Sequence, residues 1–374
     1  AFAIARLRAP TILAARARID EARGRLVRAS VLLRDNPVLE TGGGVGIAGP
    51  GSFLKAEVGL SQTFELGGRR RARVEAAHAR IASATAASDD TLRGLLRDVG
   101  IAFFRALYSK ERLALARRVE RLAADVVRIA EQRLAAGDIA LLHRNVAAGA
   151  LSRARADASA FEGASAAALG GLRAVLGFDA TAPLAIRGDL RARRRLDFAE
   201  IVAGDRPDIR VFAAEIQEAE AEVRLGKALA APELSVGARY ERDDGANVVL
   251  GTLSLTLPFF ERGQGLRAEA TARARRLRLE RDAAVRLVRV KSRSAWDTYR
   301  RRIAAVVELE KNALPLLEAS EALIGKAFSA GAIGLLDVLV VRRESFDVRR
   351  AYLDRLLDVA IGGIEIEAYA GVLR

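Results

Sequence analysis

The sequence predicts an α+β membrane protein in which one helix, hairpin and long-helix unit is written twice, over residues 1–190 and 191–374, within a single elongated fold. Three observations predict it. Ala136-Gly137-Asp138-Ile139-Ala140-Leu141-Leu142 returns as Ala330-Gly331-Ala332-Ile333-Gly334-Leu335-Leu336, slightly over half of the 374-residue chain later. So long an internal period fixes architecture before any single residue is interpreted. Each copy also holds a segment of period-two alternation whose strands, about ten residues each, have the length of tilted transmembrane strands. A helical apolar pattern follows each segment and runs too far for a compact domain.

Taken in order, residues 1–34 carry Ile12, Ala15, Ile19, Ala22, Leu26 and Ala29 at helical spacing, and Asn36-Pro37 is expected to end the helix. Over residues 38–66 the period becomes two, with Ala56, Val58 and Leu60 alternating against Lys55, Glu57, Gly59 and Ser61. Ala48-Gly49-Pro50-Gly51 supplies the turn of a hairpin. Glu65-Leu66-Gly67-Gly68-Arg69 closes it and opens a helix to about Ala136, striped by Val74, Ala77, Ile81, Leu92, Leu95, Val99 and Phe103. At 1.5 Å per residue that helix is roughly 100 Å long. Gly137 turns the chain, and a second helix reaches about Leu176, ended by Gly177 and Pro183.

A basic connector over residues 184–206 leads into the second copy. Ile216, Ala219, Val223 and Gly226 repeat the first stripe, and Ala231-Pro232-Glu233-Leu234 matches Asn36-Pro37-Val38-Leu39. The hairpin of residues 233–258 sets Leu234, Val236, Ala238 and Tyr240 against Arg239 and Glu241, turning at Asp243-Asp244-Gly245. An unbroken helix is expected from about Gly263 to Phe328, then a turn at Gly331 and a last helix to about Tyr369.

Composition narrows the function. With no cysteine or methionine, disulfides, thiol catalysis and thiolate metal sites are excluded. The net charge of +14 comes almost wholly from arginine, which alternates with Glu and Asp along helices instead of clustering with aromatics. That pattern is a solvated helix surface and argues against nucleic acid as a partner. No apolar run nears the roughly 20 residues of a spanning helix, so any membrane crossing uses strands. The missing initiator methionine leads us to expect a chain trimmed at its start.

His78 and His143 stand apart from other ligand types, and Gly42-Gly43-Gly44 lacks the Gly-Lys-Ser/Thr of a phosphate loop. Neither a catalytic constellation nor a metal or cofactor site is expected. Trp296 and Tyr299 read as core aromatics. Four strands cannot close a useful barrel alone, but several chains contributing four each could. The apolar strand face would then meet lipid and the face of Lys55, Glu57, Arg239 and Glu241 would meet water. The alternative is a soluble coiled-coil scaffold, which would need no detergent.

The strand entries at Asn36-Pro37 and Ala231-Pro232, the exits at Leu60 to Arg71 and Leu253 to Gly265, and the paired turns at Gly137 and Gly331 resemble the TolC-like outer-membrane efflux family over essentially the whole chain. Ala17-Arg18-Ile19-Asp20-Glu21-Ala22-Arg23-Gly24-Arg25-Leu26 and Phe64-Glu65-Leu66-Gly67-Gly68-Arg69-Arg70 are similar to its CzcC-like heavy-metal branch. The resemblance implies a homotrimeric duct with a 12-stranded barrel in outer-membrane lipid and a helical coiled-coil barrel in the periplasm. It further implies a passive exit channel, working with a periplasmic adaptor and a resistance-nodulation-division type inner-membrane pump. Heavy-metal cations are the favoured cargo, with drugs or type I secreted proteins the alternative.

Adaptor-docking tips would fall at Gly137, Ile139, Leu141, Leu142, Gly331, Ile333, Leu335 and Leu336. Asp337 would be the pore gate, a ring of carboxylates relieved in part by Arg342 and Arg343; its other reading is a helix-start carboxylate. His143 stands where Asp337 sits in the other copy, Val340 replaces an acid that some relatives carry, and the chain is basic for a cation duct.

Overall fold

The structure, a computed structural model, describes residues 1–48, 51–192, 196, 206–243, 246–330, 332–371 and 373. Gly49, Pro50, Asp244, Gly245 and Gly331, all expected in turns, and much of the connector's second half lie outside the described residues. The chain divides into two compact units, each drawing on both sequence halves.

One unit comprises residues 14–90 and 207–285. It holds most of α2 (Pro10–Ser30), β1 (Val38–Ala48), β2 (Gly51–Glu65), the start of α3 (Arg69–Ala135), α5 (Pro207–Ala228), β3 (Glu233–Asp243), β4 (Ala246–Thr256) and the start of α6 (Gln264–Glu308). The strands form one antiparallel sheet in the order β1-β2-β3-β4. The hairpins join through β2 and β3, with Glu57 opposite Glu241 and Val58 opposite Tyr240. The helical part is lined by Ala72, Ala77, Ala219, Ala221, Ala270 and Ala274, so its helices approach closely. Its buried carboxylate, Glu218, is held by Arg80 at 2.7 Å and Arg273 at 3.6 Å.

The other unit comprises residues 1–13, 91–206 and 286–374. It contains α1 (Phe2–Arg8), the rest of α3 and α6, α4 (Leu141–Leu176), α7 (Leu314–Ser329) and α8 (Leu335–Ala370). Leu107, Leu190, Tyr299, Val306, Tyr352 and Leu356 belong to one buried cluster, against which Trp296 packs. Both aromatics are therefore core residues. Gly177 ends α4 at φ 74°, and a Cβ there would lie 2.8 Å from the Arg8 carbonyl oxygen, so only glycine fits.

Two prolines change the expected helices. Residues 1–34 are not one helix: Ala9 is extended at ψ 127°, α2 restarts at Pro10, and it ends at Ser30, ahead of Asn36-Pro37. Proline at the first helical position sends the preceding residue out of the α region. The expected unbroken helix of residues 263–328 is interrupted by a π turn at Leu309–Ala313, where Leu314 N–H reaches the Leu309 carbonyl. Pro315 explains it: an uninterrupted α-helix would drive its ring into the carbonyl of Lys311, and the wider turn moves that carbonyl away.

Candidate functional site

The sheet has two chemically different faces, and strand alternation assigns every residue to one of them. Glu40, Lys55, Glu57, Arg239, Glu241 and Asp243 share one face. Lys55 Nζ lies 2.7 Å from Asp243 Oδ2, while Arg239 reaches Glu40 at 3.1 Å and Glu57 at 3.3 Å. Glycine makes room for these side chains: a Cβ on Gly42 would lie 2.6 Å from Glu57 Oε1. Four carboxylates stand here against two cations, although the whole chain is basic.

The opposite face is mostly apolar and open, with Arg242 and Asn247 at its hairpin end. Val45, Ile47, Leu54, Val249 and Leu253 are each at least 68% exposed, and Val58, Leu60, Val236 and Leu255 continue the same surface. An apolar area this continuous, with nothing over it in the single chain, needs an apolar solvent or partner.

Where strands become helices, Glu65 faces Glu233 directly across β2 and β3. The repulsion is met by Arg73 on Glu65 and Arg69 on Glu233, with Arg69 also donating to the Leu229 carbonyl at 3.0 Å. Gly67 at φ 67° and Gly263 at φ 68° occupy matching exits, each with less than 3 Å of room for a Cβ. After β4, Phe259 and Phe260 are 71% and 93% exposed. The sequence reading passed over this pair; two aromatics in a polar exit loop were the available signal.

The paired turns share hydrogen bonds as well as sequence. Asp138 N–H reaches Arg133 O at 2.9 Å, and Ala332 N–H reaches Ala327 O at 2.9 Å. Gly137 has φ 79°, the left-handed conformation its place in the turn requires. Arg133 ties the turns together, stacking over Phe328 at 4.3 Å and donating to its carbonyl at 2.9 Å. Leu335 is buried in this cluster and Ile139 and Ile333 pack against it, whereas Leu141, Leu142 and Leu336 are exposed. Gly331 lies outside the described residues.

Asp337 is exposed and accepts the backbone N–H of Gly334 at 3.0 Å, so within the chain it caps α8. Neither expected partner reaches it. Arg342 donates to the Leu122 carbonyl at 2.9 Å, and Arg343 lies 3.9 Å from Asp347. Among the described residues, no group of three or more His, Cys, Asp or Glu is placed to hold a metal ion, and no helix is long and apolar enough to cross a membrane.

A sheet with one mostly apolar face and one charged face, carried on long helices, fits a protein that meets the membrane through its strands. The chain belongs to the outer membrane efflux protein family, which matches residues 3–178 and 200–372. It is 28% identical over 316 residues to the cobalt-zinc-cadmium resistance protein CzcC of Cupriavidus metallidurans, covering 78% of this chain and 71% of CzcC. Its fold matches the Campylobacter jejuni CmeC outer membrane channel with a TM-score of 0.81 at 13% identity, over 99% of this chain and 85% of that one. It also matches the open state of the Neisseria gonorrhoeae MtrE outer membrane channel, with a TM-score of 0.80 at 20% identity, over 100% and 88% of the respective chains. The protein is thus a TolC-like channel component of the outer membrane and extends into the periplasm, serving efflux by passive conduction and not catalysis.

Proposed function

We propose that three copies, four strands each, close a 12-stranded barrel and pass heavy-metal cations outward from an inner-membrane pump of the resistance-nodulation-division type through a periplasmic adaptor. The carrying observation is the two-faced sheet. Its terminal strands β1 and β4 each keep one open edge among the described residues, and such an edge is a template for pairing with another chain. Its charged face holds more carboxylate than cation, which suits a lumen for cations, and the relative CzcC is named for resistance to cobalt, zinc and cadmium.

The matching turns support two structural repeats over residues 1–190 and 191–374. They would serve as the adaptor tips, with Leu141, Leu142 and Leu336 offering apolar surface and Ile139, Ile333 and Leu335 holding the turns in shape. Asp337, at the start of α8 and one per subunit, would narrow the periplasmic end as a ring of carboxylates.

Purified protein in planar bilayers tests the channel reading: a trimer with cation-selective conductance is expected, and a detergent-solubilised monomer or an anion-selective pore would refute it. For cargo, the chain expressed with its pump and adaptor should restore growth in cobalt, zinc or cadmium. Export of drugs alone would assign it to the other use of the same fold.

A further inference from the structure

A cavity of about 540 Å³ lies among α3, α4, α7 and α8, well within the size range of small-molecule sites. It exists because α3 and α4 present Ala123, Ala150 and Ala154 where larger side chains would fill the space, leaving Leu339 and Phe346 of α8 on one wall. Its polar side is unbalanced. Glu321 is already taken by Ser345 and by both Nη atoms of Arg349, at 2.8 and 2.9 Å, and Asp347 faces Arg343. Arg118, Arg153 and Arg342 also line the cavity, and none of them has a carboxylate within ion-pair distance among the described residues. Among the described residues, Asp157 is the lining carboxylate with no ion pair.

Arg342 makes the imbalance costly. It is half-buried, its hydrogen bond goes to a neutral carbonyl, and burial holds its pKa below the usual arginine value. Asp125 and Glu321 offset this burial only in part and neither makes an ion-pair contact with Arg342, so an anion beside the guanidinium would relieve the rest.

We propose that this cavity binds an amphipathic organic anion, its charged group among Arg118, Arg153 and Arg342 and its apolar body against Leu339 and Phe346. Bound there, it bridges α8 to α3 and α4. An acidic helix from a partner protein, about 10–12 Å across, would need an open groove along its axis. Walls contributed by four helices suit a small ligand better.

The test is equilibrium dialysis of the full chain in a neutral detergent, with naphthalene-2-sulfonate as probe and uncharged 2-naphthol as control. Saturable binding of one sulfonate per chain is expected, with 2-naphthol about tenfold weaker or worse. The double variant Arg118→Gln/Arg153→Gln should lose about tenfold for the sulfonate and nothing for 2-naphthol. Both arginines are exposed, so the variant should still fold and, read against its own ligand-free Tm, lose the upward Tm shift that the sulfonate gives the parent. Equal binding of both probes, sulfonate binding that survives the double substitution, or no saturable binding overturns the proposal. So does an acidic amphipathic peptide that occupies the cavity when the sulfonate does not.

Discussion

Leu253→Arg tests the membrane face by depth as well as by sign. From Val249 on β4 to Leu257, the residue after its end, is nine residues, roughly 27 Å at about 3.4 Å per step. A tilt of about 40° reduces this to roughly 21 Å of membrane height, close to the apolar band of about 25 Å expected of an outer-membrane barrel. Leu253 lies midway, on the apolar face and 74% exposed, so an arginine there should sit at the bilayer midplane and cost about 2–4 kcal/mol. Leu257→Arg, at the lower edge, should cost only about 0–1 kcal/mol. Ser254→Arg points to the charged face and should be as mild. Urea unfolding of the three variants in lipid vesicles gives the comparison. Equal costs for Leu253→Arg and Leu257→Arg, or a Ser254→Arg cost as large as that of Leu253→Arg, would remove the lipid-facing assignment. A soluble scaffold would tolerate all three within about 0.5 kcal/mol.

Arg239→Gln removes the cation that bridges Glu40 and Glu57 and should raise the cation-to-anion permeability ratio in bilayer recordings; an unchanged ratio would place that face away from the ion path. Burial raises the pKa of Glu321, but hydrogen bonds from Ser345 and Arg349 and the charges of Arg349 and Arg118 outweigh it and hold the carboxyl below its ordinary 4.5. A depressed carboxylate pKa means stability that is present above 4.5 and lost as pH falls through the folded value. The stability advantage of the parent over Glu321→Gln should therefore shrink on acidification below that point, and a constant difference would refute the linkage. Arg349→Met should cost about 2–3 kcal/mol in chemical unfolding, less than a fully buried pair because both side chains keep some exposure. Asp337→Asn should weaken divalent-cation block of the conductance without changing assembly; block equal to the parent's would leave Asp337 as the cap of α8 alone.

The hairpins, long helices and paired turns were legible because each rests on local periodicity or on a repeated short motif, with Gly137 left-handed at φ 79°. What escaped the sequence reading depended on direction around a helix or on one residue's covalent geometry. Arg342 follows Asp337 by five residues, which at about 100° per residue places it roughly 140° away around α8, too far to serve it. That same rotation carries it to Leu122 and the cavity. Leu335 and Leu336 are adjacent in sequence, yet one is buried and the other open, again a matter of one step around the helix. Pro10 and Pro315 carried a visible signal, but the apolar spacing that follows each of them is helical and masked the break.

The same contacts bear on how a basic chain would serve as the cation channel proposed above. Many arginines here have a carbonyl oxygen as their partner. Arg70 and Arg73 donate to Ser30 and Ala29 at the end of α2, Arg133 to Phe328 at the end of α7, and Arg93 and Arg206 to Ala368 and Tyr369 at the end of α8. Arg69 does the same just beyond α5. Helix C-termini leave carbonyls without intrahelical partners and carry partial negative charge, and a forked guanidinium can satisfy more than one of them at once. Arg69 and Arg73 pair with Glu233 and Glu65 as well, so at the strand-to-helix exits the carbonyl contacts add to ion pairing. The strand face that would meet permeating ions follows the opposite rule, with Arg239 and Lys55 outnumbered by Glu40, Glu57, Glu241 and Asp243. Net charge is therefore no guide to the strand face, and any ion preference of the proposed channel would be set by the few side chains that share that face.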